Sequence, residues 1–151
     1  MEVISSHPKV GVKVISEGDA ITRISLFLSP NFVLDCPSKK LRDSLLQWLK
    51  NYAQGQWTAY PLPPYKRPFA QKAAAFLQST SHGNLLSYKE LAEAIGHPGA
   101  ARAIGSFCSG NLFPLFIPCH RVIPSSGKLG SFTPDPRIKE QLLHFEGITT
   151  I

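Results

Sequence analysis

Apolar and polar residues alternate from Val10 to Val14, with Gly11 and Lys13 between the valines. After Glu17-Gly18-Asp19 a second run, Ile21 to Leu28, is rich in β-branched and apolar side chains. A period of two with a short polar break predicts a β-hairpin. The period then lengthens: Leu41, Leu45, Leu46, Leu49 and Tyr52 recur at helical spacing behind the N-cap signal Pro37-Ser38 and stop at Gly55. This predicts a helix packed on the hairpin. Pro61, Pro63, Pro64 and Pro68 exclude both helix interior and central strand, so a linker and a domain boundary are expected there.

Beyond the linker, Phe69, Ala73, Phe76 and Leu77 predict a core helix, followed by a loop at Ser79 to Gly83. Ser87-Tyr88-Lys89-Glu90 has the capping-box pattern, Ser at the N-cap and Glu three residues on, and Leu91, Ala92 and Ile95 form a short apolar face that ends at Gly96. His97-Pro98 turns the chain, and a second helix is expected from Pro98 or Gly99 through Ala100-Ala101-Arg102-Ala103-Ile104 toward Gly110-Asn111. Two short helices joined by a glycine-containing turn form the helix-turn-helix pattern. The alanines and the single long side chain of Arg102 fit a helix lying deep in a nucleic-acid groove, or a helix pair using alanine for close approach. Ser125 to Phe132 reads as a polar loop able to wall a pocket. Ile138, Leu142, Leu143 and Phe145 predict a last amphipathic helix closing at Glu146-Gly147. The expected architecture is α/β (α+β): a small N-terminal α/β domain over residues 1–64, then a mainly helical domain over residues 68–151.

The 151 residues are 43% hydrophobic, enough for a real core, and carry a formal charge of +6. Residues 65–151 hold nine Lys/Arg against five Asp/Glu, which makes the second half the expected face toward a polyanion. Three cysteines, Cys36, Cys108 and Cys119, with no Cys-x-x-Cys pair, argue against a disulfide framework and a closed zinc site and fit a reducing compartment. The N-terminal stretch lacks a secretory pattern, and the most apolar run, Phe113 to Cys119, is interrupted by Pro114 and Pro118. The expectation is a cytoplasmic protein with no membrane partner.

The chemistry centres on Ile117-Pro118-Cys119-His120-Arg121-Val122. A thiol attacks as its thiolate, which nearby cations or a histidine favour, and His120 and Arg121 supply such groups. The flanking prolines predict a short segment that holds the thiol near a surface. On these residues alone a small buried hydrophobe is the favoured reading. Glu146 sits near a helix end, where the dipole disfavours it, and so implies a specific partner.

Taken together, Ser87-Tyr88 through Arg102, Asn111 and Pro118-Cys119-His120-Arg121-Val122 resemble the O6-alkylguanine-DNA alkyltransferases, over roughly Pro68 to Gly147, including Lys139, Leu142-Leu143 and Glu146-Gly147. The resemblance implies direct repair without a cofactor, with an alkyl group moving irreversibly from the guanine O6 of a flipped-out base in double-stranded DNA to Cys119; some relatives hold zinc in the N-terminal domain, but Cys36 stands alone there, so no metal is expected. It implies a relay from Cys119 through a water to His120 and Glu146, with Asn111 bracing the turn before the cysteine. It also implies minor-groove binding by a monomer. Arg102 fills the gap left by the base and Tyr88 turns its phosphate, while Lys89, His97, Ala101 and Ser125 fall at further DNA-contacting positions. Cys108, Pro114, Val122, Phe132 and Thr133 fall around the substrate pocket, and the cellular setting is the nucleoid or, in a eukaryote, the nucleus. Two positions depart from the family: Leu112 replaces a proline, and Phe132 replaces a tyrosine whose hydroxyl donates to O6, a role Thr133 or a loop amide could take. Two rival readings are a helix-turn-helix damage sensor or regulator without chemistry, and a Cys-His hydrolase.

Overall fold

The computed structural model describes residues 1–130, 132 and 135–149. Strands β2 (Val10–Glu17) and β3 (Ala20–Leu28) form the expected antiparallel hairpin, with Val10 opposite Leu28, Val12 opposite Leu26 and Val14 opposite Ile24. Five of these six side chains are buried on one face, as a period of two requires, and Leu28 at the strand end is exposed. Two four-residue strands extend the sheet beyond the expectation. β4 (Phe32–Asp35) runs parallel to β2, and β1 (Glu2–Ser5) pairs antiparallel with β4, giving the order β1-β4-β2-β3.

Helix α1 (Lys39–Ala53) begins at Ser38, whose hydroxyl accepts from the Leu41 amide, and buries Leu45, Trp48, Leu49 and Tyr52. It approaches β1 and sets the Tyr52 ring 6.0 Å from Phe32 of β4, so it covers the added strands rather than resting on the hairpin alone. The proline-rich stretch that follows is irregular yet tied down: Trp48 Nε1 donates to the Thr58 carbonyl, and Trp57 Nε1 to that of Gln78.

Helix α2 (Pro68–Gln78) starts on its proline, whose missing amide costs nothing at that position. Strand β5 (Leu86–Ser87) leads directly into α3 (Tyr88–Ala94), where the capping box between Ser87 and Glu90 is present in both directions. Helix α4 (Ala101–Ser109) starts two to three residues later than the Pro98 or Gly99 expectation, because Gly99 adopts φ 87° and Ala100 is the N-cap. The cysteine segment is one tight 3-10 turn, Cys119–Arg121, followed by β6 (Val122–Ile123), and α5 (Pro136–Phe145) closes the chain. β5 and β6 pair in parallel, Leu86 opposite Val122 and Ser87 opposite Ile123. Two residues on each side thus lock the start of the helix pair to the end of the cysteine turn. A single cluster of buried apolar residues runs from the sheet through α1 to α5, with Trp48 stacked on Phe116 at 4.3 Å.

Candidate active site

Asn111 shapes the approach to the cysteine. Its Nδ2 donates to the Ile117 carbonyl at 2.8 Å and its Oδ1 accepts from the Phe113 amide at 2.9 Å, so one amide clips the turn at both ends. Within the clip Leu115 has φ 75°, a left-handed conformation costing a leucine roughly 1–2 kcal/mol. The β3 backbone supports the same turn, since the Ile24 amide donates to the Leu112 carbonyl at 2.8 Å. That carbonyl bond does not depend on which side chain residue 112 carries, so leucine serves here as proline would.

Cys119 is only 3% exposed, yet it lies near the surface as the flanking prolines predict. It forms part of the wall of an open cavity of about 130 Å³, far more than one water needs. Tyr88, Cys108, Asn111, Pro114 and Phe132 line this cavity with it. Val122 does not; it is buried behind the wall and its carbonyl accepts from Lys139 Nζ at 2.7 Å. Thr133 lies outside the described residues. Sequence reasoning missed the opposite wall, Arg23 to Leu26 of β3, and Lys139.

Burial and the neighbouring Cys108 thiol push the Cys119 thiol well above its ordinary pKa, while Asn111 and the Lys139 ammonium pull it down. The resting group is therefore a thiol that must lose its proton to react. Arg121 is not the cation beside it, contrary to the sequence expectation. Its guanidinium is fully buried and points away, donating through Nε to Glu146 Oε1 at 2.7 Å, through its terminal nitrogens to Glu146 Oε2 at 3.2 Å and Thr80 at 3.0 Å, and lying 4.0 Å over the Trp57 ring.

His120 is 0% exposed, and its Nε2 lies 2.7 Å from Glu146 Oε2. Burial, together with the Arg121 and Lys139 cations, lowers the imidazole pKa against the opposing pull of Glu146, so the ring rests neutral. Burial would raise the Glu146 carboxyl, but His120 and Arg121 outweigh it and hold the group ionised, well below the usual carboxylate range. An ionised acceptor fixes the tautomer: Nε2 carries the proton and Nδ1 offers its lone pair. Nδ1 is buried with no partner among the described residues. The partner that Glu146 lacked in sequence is thus threefold, since the Tyr52 hydroxyl also donates to Oε2 at 2.6 Å.

Around the mouth, Tyr88 is half-buried at the start of α3, Lys89 is exposed beside it, Ala101 is half-buried and Arg102 is exposed on α4. His97 is exposed, its ring centroid 5.3 Å from that of Phe69 in an edge-to-face arrangement, and Ser125 is exposed on the loop after β6. Ile104 is the one buried side chain of α4, and of the alanines flanking Arg102, Ala103 is exposed and Ala101 half-buried. Among the described residues no three His, Cys, Asp or Glu gather to hold a metal, and no helix is long and apolar enough to cross a membrane.

Residues 68–148 match the model of the 6-O-methylguanine DNA methyltransferase DNA-binding domain. The chain is 31% identical to the human methylated-DNA–protein-cysteine methyltransferase over 90% of its own length and 69% of that protein's. It is 36% identical to the constitutive enzyme of Bacillus subtilis, over 68% of this chain and 64% of that one. The fold is similar to Mycobacterium tuberculosis OGT solved in complex with DNA, with a TM-score of 0.70 and 27% identity over 90% of this chain and 92% of that one.

Proposed function

The chain belongs to the 6-O-methylguanine DNA methyltransferase family, and from that premise we propose that it repairs DNA by taking an alkyl group from guanine O6 onto Cys119, once per molecule. The observation that carries this is the placement of Cys119 on an open cavity with a neutral His120 behind it, itself held by an ionised Glu146.

The thiol proton passes through a bridging water to His120 Nδ1, and Glu146 holds the resulting imidazolium. The thiolate attacks the alkyl carbon; the S–C bond forms as the C–O6 bond breaks, and its electron pair stays with the guanine, which takes up a proton. Lys139, in the cavity wall, stabilises the sulfur anion while it exists. The product thioether offers no ready leaving group, so the protein is spent.

Only a base turned out of the duplex can reach a thiol on this wall. Tyr88, at the junction of β5 and α3, lines the same cavity, and in this proposal it turns the phosphate. Arg102, exposed on α4 between two alanines, fills the gap from the minor groove in the same proposal. Lys89, His97, Ala101 and Ser125 complete the DNA-facing side, and a single copy contains the whole site. Cys108, Pro114 and Phe132 form the apolar side of the base pocket.

The test is the intact mass of the protein after mixing with a duplex carrying one O6-methylguanine. A gain of one methyl group per molecule, with no turnover beyond it, supports the proposal. Binding without mass gain would support the sensor reading instead.

A further inference from the structure

We propose that Tyr52 is a positioning residue for the alkyl-transfer step: from α1 it fixes the Glu146 carboxylate and sets how readily His120 accepts the thiol proton. This rests on the relay described above.

Tyr52 is wholly buried, and its hydroxyl donates to the same Glu146 oxygen that holds His120 Nε2, at 2.6 Å against 2.7 Å. An O–H···O bond of that length lies in the range of charge-assisted bonds to an ionised oxygen. The ring is clamped by Trp48 at 5.7 Å and 11°, by His82 at 4.7 Å and by Phe145 at 5.4 Å, so the hydroxyl is held on its target. Glu146 already receives two bonds from Arg121, which keep it ionised. What Tyr52 adds is a donor on the particular oxygen that faces the imidazole. It draws charge from that oxygen and weakens the pull of Glu146 on a protonated His120. The effect is to keep His120 neutral and ready to act as a base. Burial and the carboxylate raise the phenol pKa, so Tyr52 stays a neutral donor throughout.

The other charged and titratable groups facing this pair are Cys119 and Arg121 of the tight turn, Lys139 of α5 and His82 of the loop after α2. Arg121 and Lys139 are both cations. His82 does titrate nearby, which the experiment must separate.

Single-turnover methyl transfer is measured against pH for wild type, for Tyr52→Phe and for protein with 3-fluorotyrosine at position 52, a stronger donor of the same shape. Each is repeated in a His82→Gln background. In Tyr52→Phe the acid limb of the rate profile should move up by about half to one pH unit, a three- to tenfold change in proton affinity of the coupled thiol-imidazole pair. Fluorotyrosine should move it down, with both shifts persisting without His82 and duplex affinity unchanged. Coincident limbs in all proteins, with only the melting temperature of Tyr52→Phe lowered, would show a packing residue and overturn the proposal. Shifts that vanish in the His82→Gln background would overturn it too. Failure of the wild type to gain a methyl on Cys119 would overturn the function itself.

Discussion

Behind Cys119, Glu146 accepts hydrogen bonds from His120, Arg121 and Tyr52 inside a buried knot; beside it, the α3–α4 face presents Lys89, His97 and Arg102 to solvent with no ion pair among the described residues. The two regions share the cavity yet are built on opposite plans. Chemistry at the thiol needs donors and acceptors fixed before the reaction, because reorganising them during it would raise the barrier. Binding needs the reverse: positive charge left uncompensated, so that DNA phosphates supply the counter-charge and release their own ions. Substitutions should therefore separate cleanly, the knot affecting stability and chemistry, the helix face affecting only encounter with duplex.

The largest effect is expected at Cys119. Cys119→Ala should abolish methyl transfer while leaving binding to methylated duplex intact in a gel-shift titration, since the thiol contributes nothing to phosphate contacts. Next is Glu146→Ala, which leaves the Arg121 guanidinium buried without its carboxylate. Losing one partner of such a pair typically destabilises by about 3–5 kcal/mol, readable in urea unfolding. Arg102→Ala should change stability by less than about 0.5 kcal/mol. It should nevertheless slow repair of duplex strongly and leave reaction with free O6-benzylguanine nearly unchanged. Equal losses on both substrates would make Arg102 structural and break the contrast.

Acid should sharpen it. His120 and Glu146 both have folded-state pKa values lowered relative to the unfolded chain, so the folded protein binds fewer protons and its stability falls as pH falls. The loss begins below about pH 6.5 as His120 is drawn to charge in the unfolded state, and steepens below about pH 4.3 through Glu146. Melting curves of Glu146→Gln should lose the second phase, whereas those of Arg102→Ala should keep both.

The knot was the less legible of the two in sequence. Ser87, Glu90 and the glycines of the turn announce the helix pair because capping and turn chemistry are local, and Cys119-His120 is a contiguous motif. Tyr52 is 94 residues from Glu146 and sits in an ordinary apolar stripe, where nothing distinguishes a tyrosine that donates to a carboxylate from one that only packs. Lys139 entered only through the family resemblance and without a role, because nothing local shows that α5 turns it onto the Val122 carbonyl. Arg121 was assigned to the thiol because it is two residues away, but a 3-10 turn sends the two side chains in different directions. Strands β1 and β4 escaped because four residues are too few to show a period, and their partners lie elsewhere in the chain.

The smallest expected effect lies in the cavity. Phe132 lines it without a hydroxyl to stabilise the charge developing on guanine O6. A neutral hydrogen bond contributes about 0.5–1.5 kcal/mol, so Phe132→Tyr should raise the single-turnover rate by up to about tenfold with duplex affinity unchanged. An unchanged or lower rate would show that the donor is already supplied elsewhere in the cavity.

The most direct measurement is a peptide map of the wild-type protein after reaction with a duplex containing a single isotopically labelled O6-methylguanine. The label should appear on the peptide containing Cys119, at that cysteine alone, and the guanine in the duplex should be restored. Label on Cys108 or Cys36, or demethylated guanine with no label on the protein, would contradict the account.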